Sequence, residues 1–177
     1  STLFEKPENF LALEPDGGRI SKSGPSNQGI SFGNADDLKT LDLGITRSSS
    51  FMTALMTRFS PPVSASYQFR IQIGDEDFAS LWIDENRSGT FPDYTTCSSD
   101  ITTSQPIALD EGESYNLLLA HGVPSGSVAS NLSLEVKSDN EIFADWTLID
   151  PADPDQIKYY HLTFDGNLSD RISSVTV

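Results

Sequence analysis

Residues 67–73 (YQFRIQI) alternate apolar and polar side chains without a break: Tyr67, Phe69, Ile71 and Ile73 against Gln68, Arg70 and Gln72. A period of two predicts a strand with one face on a core and the other in water. The run stops at Gly74, passes three adjacent acids, Asp75, Glu76 and Asp77, and resumes with Ala79, Leu81 and Ile83. Strand, acidic turn, strand is the simplest reading.

Further strands follow from the same kind of pattern. In residues 51–59 (FMTALMTRF) both faces are largely apolar, which predicts a central strand covered on two sides. Ser60, Pro61 and Pro62 end it, because prolines cannot donate to a ladder. Residues 115–120 (YNLLLA) carry three consecutive leucines and predict another strand buried on both faces. Residues 131–137 alternate cleanly, with Leu132, Leu134 and Val136 inward. Short strands are expected around 10–13 and 30–32, Ile107, Ala108 and Leu109 lead into a turn over 110–113, and Phe143, Trp146 and Leu148 are expected to complete the core.

Between these runs the chain reads as loop. Residues 1–29 hold Pro7, Pro15, Pro25, Gly17, Gly18 and Gly24 and show little alternation. Residues 85–105 form a long polar segment, and 121–127 (HGVPSGS) read as a flexible loop from their Gly, Pro and Ser content. Pro151, Ala152, Asp153, Pro154 and Asp155 mark a change of composition. A boundary is expected there, giving a β-domain over 1–150 and a C-terminal extension or linker over 151–177 with one or two strands. In that extension Tyr160, Leu162 and Phe164 alternate with Tyr159, His161 and Thr163.

Composition agrees with an all-β domain: 177 residues with 12 Gly and 10 Pro scattered along the chain suit short strands separated by turns. Charge narrows the partners. With 26 acids against 11 bases the formal net charge is -15, which opposes nucleic-acid phosphates and anionic membrane surfaces and favours cations. No apolar run approaches the ~20 residues of a spanning helix, so membrane insertion is not expected. The single cysteine, Cys97, excludes an intrachain disulfide and a multi-thiolate metal site.

Three consecutive carboxylates repel one another, so they belong where water screens them or a cation neutralises them. Asp75, Glu76 and Asp77 read either as a solvated acidic hairpin loop or as a hard oxygen site for calcium. No enzymatic motif surrounds the two histidines, His121 and His161, and the chain is expected not to be an enzyme. Asn86, Asn131 and Asn167 open Asn-x-Ser/Thr sequons and are glycosylation candidates in a secreted glycoprotein.

The order of these motifs resembles the PA14 domains of bacterial toxins, glycosidases, microbial adhesins and yeast flocculins. FMTALMTRF, SPPVSAS, YQFRIQIGDED and FASLWIDEN follow that family's two-sided strand, proline-rich turn, aromatic strand with acidic pair, and Leu-x-Ile-Asp strand. IALDEGESYNLLLAH and NLSLEV look like its later units, so the resemblance covers residues 51–137. It implies an antiparallel β-sandwich with long loops at one end. In adhesin and flocculin members an adjacent aspartate pair joined by a cis peptide holds a calcium ion that coordinates sugar hydroxyls. That pair falls on Glu76 and Asp77, with Glu one methylene longer than the family's first Asp; pairing Asp75 with Asp77 is the alternative. The resemblance makes 86–99 and 121–127 candidate ligand loops, with Trp82, Tyr94 and His121 as candidate sugar contacts. HLTFDGNLSD is a weaker echo of the opening phrase of concanavalin-like and laminin-G-like sandwiches.

Two functions of different class are expected from these readings. One is an extracellular or cell-surface, calcium-dependent carbohydrate-binding module whose partner is a carbohydrate or glycoprotein. The other is a structural subunit of a surface assembly or filament, joined to further copies of itself by strand addition through the termini.

Overall fold

The computed structural model describes residues 19–23, 30–32, 50–74, 77–88, 96–98, 101–124, 131–149 and 158–163. Its strands, in chain order, are β1 (Arg19–Ser23), β2 (Ser31–Phe32), β3 (Phe51–Phe59), β4 (Ala65–Ile73), β5 (Phe78–Ile83) and β6 (Thr96–Ser98). There follow β7 (Ile101–Thr103), β8 (Ile107–Leu109), β9 (Tyr115–Val123), β10 (Leu132–Ser138), β11 (Thr147–Leu148) and β12 (Lys158–Thr163). A single 3-10 turn, Glu141–Phe143, is the only helical element among the described residues.

Two sheets result. The first runs β1-β12-β3-β9-β5-β6; the second runs β11-β10-β4-β7, with β2 also on β10 and β8 also on β4. Every pairing is antiparallel. Their inner faces share one core, in which Phe51, Leu55 and Leu119 of the first sheet meet Phe69, Ile71 and Leu134 of the second. The fold is an antiparallel β-sandwich, the architecture that the motif order implies.

Chemistry of the side chains explains the two-sided strands. β3 and β9 lie in the interior of the first sheet, and Met52, Ala54, Leu118 and Ala120 on their outer faces are buried like the inner residues. β4 instead alternates buried Tyr67, Phe69, Ile71 and Ile73 with partly exposed Gln68, Arg70 and Gln72, because its outer face meets water. On that face Arg70 donates to Glu135 at 2.8 Å through Nε, and its guanidinium stacks 4.5 Å from the centroid of Trp146.

Four expectations need correction. β4 and β5 belong to different sheets, so the acidic turn is a crossover between sheets and not a hairpin loop. The strand β9 continues through His121, Gly122 and Val123, where a loop was expected, because both neighbours pair with it there: Phe51 with Val123 and Phe78 with Gly122. Glycine is required at 122, since a Cβ there would meet the Phe78 ring at 2.2 Å. The long polar segment contains β6 and β7, whose short runs extend one edge of each sheet. Leu148 is largely exposed, and Ile149 takes the core position beside it.

The compositional break at Pro151 does not separate two sheets. β12 lies between β1 and β3, matching six residues of β3 from Lys158 opposite Met56 to Thr163 opposite Phe51. Both of its hydrogen-bonding edges are used within the chain. Residues 10–13, 165–167 and the closing ISSVTV lie outside the described residues.

Candidate ligand site at the acidic turn

The crossover from β4 to β5 is closed by the Asp77 amide, which donates to Gly74 O at 3.0 Å. Registers identify what shares this end of the sandwich. Ile73 is opposite Leu132, Gln72 opposite Ile101, Ala79 opposite Ser98, Phe78 opposite Gly122 and Phe51 opposite Val123. The β6–β7 connection and the connection from β9 to β10 therefore start and finish beside the acidic turn. Both belong to segments the family resemblance marks as ligand loops.

Asp77 is the one member of the three acids among the described residues; Asp75 and Glu76 lie outside them. Its side chain is fully buried, and Oδ2 lies 3.0 Å from His121 Nε2, itself fully buried. Parity produces this meeting. Asp77 is two residues before Ala79, on the inward set with Leu81 and Ile83, while His121 falls on the inward set of β9 with Leu117, Leu119 and Val123. A buried carboxylate without a donor is costly, so the imidazole N–H stabilises it where water does not reach.

Two candidate sugar contacts are buried. Trp82 has no exposed surface and His121 none, so neither presents a ring on which a sugar could stack. Trp82 sits with Phe78 and Ser80 on the outer face of β5, and its Nε1 and the Ser80 hydroxyl are buried without hydrogen-bond partners. Tyr94 lies outside the described residues, as does Asn167. Asn86 is exposed in the turn after β5, at the end of the sandwich away from the acidic turn, and Asn131 is exposed just before β10, at the acidic end. Cys97 falls on β6, paired with Ser80.

One sequence signal for the pair was available. The alternation of Tyr115, Leu117 and Leu119 continues to His121 and Val123, which puts a histidine at an inward position that demands a polar partner. Asp84 was likewise legible only in part: it is fully buried, and its Oδ1 accepts from Ser88 N at 2.9 Å and from Ser88 Oγ at 3.1 Å. This carboxylate organises a turn and does not belong to the acidic cluster.

A carboxylate is the kind of oxygen ligand that a hard cation takes. Among the described residues no three candidate ligands cluster, Asp77 being the single described acid of the turn. No helix among the described residues is long and apolar enough to cross a membrane.

No protein-family model and no curated protein matches this sequence. Among solved structures the chain is similar to the epithelial adhesin 9 A domain of Candida glabrata in complex with Galb1-4GlcNAc, at 16% identity over 82% of this chain and 68% of that chain, TM-score 0.48. It is similar to the epithelial adhesin 6 A domain of Candida glabrata in complex with Galb1-3GlcNAc, at 14% identity over 79% and 68% of the two chains, TM-score 0.44. It is also similar to the PA14 sugar-binding domain from an RTX adhesin, at 13% identity over 73% and 75%, TM-score 0.47.

Proposed function

We propose that this chain is an extracellular or cell-surface carbohydrate-binding module whose binding depends on calcium held at the acidic turn. Asp77 is the inner ligand, and Asp75 and Glu76 supply the further carboxylates. The observation that carries the reading is the placement of the Asp77 carboxylate at the inter-sheet crossover, anchored by His121 beside the ends of β6 and β9. The motif order over residues 51–137 supports it independently of that geometry. Calcium bound there would offer open coordination positions to vicinal sugar hydroxyls, chemistry that suits a hard cation with several oxygen ligands.

Sugar specificity in this reading resides in the loops around the turn and not in Trp82 or His121, which are buried. The alternative, a filament or assembly subunit joined through its termini, has less support, because β12 is flanked on both sides by strands of its own chain.

The deciding measurement is glycan-array binding in millimolar calcium, repeated with a chelator and with Asp77→Ala. Binding that disappears in both controls is the expected result. Binding that persists in both would remove calcium from the reading, and absence of any binding would remove the carbohydrate.

A further inference from the structure

The polar contact at the acidic turn extends one strand beyond the bond that defines it. Thr53 of β3 lies directly opposite His121 in the β3–β9 register, and Ala79 of β5 lies opposite His121 on the other side. Thr53 shares its face of β3 with Phe51 and Leu55, which belong to the core. Asp77, just before β5, His121 of β9 and Thr53 of β3 thus form a polar row on the inner layer.

Two atoms in that row are unaccounted for. His121 Nδ1 and Thr53 Oγ1 are both buried and both lack a hydrogen-bond partner. Buried polar side chains in native proteins are rarely left so, and two on facing residues have a common remedy. With the ring as donor in the contact to Asp77, its proton lies on Nε2. Nδ1 is then an acceptor, and the Thr53 hydroxyl on the facing residue of the next strand is a donor.

We infer that His121, braced by Thr53, is the positioning residue for the Asp77 carboxylate and so sets the affinity of the crossover turn for a divalent cation. The inference rests on the reading of that turn as a calcium site. His121 has no exposed surface, and it acts on a bound ion only through Asp77. Hydrogen-bond donors behind a ligating carboxylate fix its direction, and their loss typically lowers metal affinity by about 10–100-fold.

The test is calcium titration by calorimetry on the full chain, alongside thermal unfolding without calcium, for the wild type, His121→Gln, His121→Leu and Thr53→Val. His121→Gln keeps an N–H donor at a reach near that of Nε2 and should bind calcium within a few-fold of wild type. His121→Leu, measured at a temperature where it is folded, should bind roughly 10–100-fold more weakly. Thr53→Val should fall between them.

A wild type that binds calcium together with an equally tight His121→Leu would overturn the inference and leave the calcium reading standing. A wild type that binds no calcium would remove that reading, and the inference with it. If His121→Leu does not fold, nitrogen NMR of the wild-type ring decides: a proton on Nε2 with Nδ1 bare is expected. A proton on Nδ1 with Nε2 bare would overturn the inference.

Discussion

The two ends of the sandwich solve the problem of buried and turning backbone in opposite ways. At the end holding the turns after β3, β5 and β8, many short side-chain bonds stitch neighbouring turns together. Ser64 Oγ accepts from Glu111 N at 2.9 Å, Asp139 Oδ1 from Ser66 N at 3.0 Å, and Tyr115 OH from Asp110 N at 2.9 Å. Tyr67 OH donates to Val63 O at 2.6 Å, and Gly112 takes the positive φ of 80° that a type II turn needs at its third residue. At the acidic end the contact of Asp77 with His121 is wholly buried.

The difference teaches where energy is concentrated. A bond between exposed turn groups competes with water and contributes modestly, and its loss is shared by its neighbours. A buried pair has no solvent to fall back on, so removing one partner costs far more than the pair contributes when intact. Bonds between turns at the surface contribute at one end, and a buried polar pair at the other.

Asp77→Leu should be the most damaging single change, costing about 3 kcal/mol in urea unfolding because it leaves the His121 ring buried without its acceptor. The double variant Asp77→Leu with His121→Leu should recover much of that loss, since the buried carboxylate and imidazole are removed together. A double variant as unstable as the sum of its single changes would mean that the two residues act separately.

A smaller loss is expected at the stitched end. Asp84→Ala removes the acceptor of Ser88 N and Oγ and should cost about 1–3 kcal/mol by the same measurement, the backbone amide remaining able to reach water. A loss equal to that of Asp77→Leu would erase the contrast between the ends. Smallest of all is Arg87→Ala. Arg87 pairs with Glu113 at the surface, and that neighbouring carboxylate holds its guanidinium pKa above the ordinary arginine value. Solvent and salt screen such a pair, so the unfolding midpoint should stay where it is at 150 mM salt, on the order of physiological ionic strength.

Much of the sandwich could be read from patterning. The inward set of β4, the two-sided β3 and the inward set of β10 all follow from period-two alternation, a local property of extended chain. β6 and β7 could not, because three-residue strands of Thr, Ser, Cys and Ile carry too little contrast between faces. The burial of Trp82 was not legible for a related reason: an aromatic in a strand beside an acidic turn looks the same whether its outer face is bare or covered.

What the sequence determined by itself was the all-β class, most of the strands and the place of the three acids between two of them. Alternation, proline and glycine act over a few residues and need no distant partner. Only the tertiary structure decided that β4 and β5 lie in different sheets, that β12 closes into the first sheet beside β3, and that Asp77 meets a histidine 44 residues away. The physical reason is that antiparallel ladders join any two strands whose faces and edges match. Which edges meet is set by burying the whole set of apolar faces at once, a condition no single stretch of sequence contains.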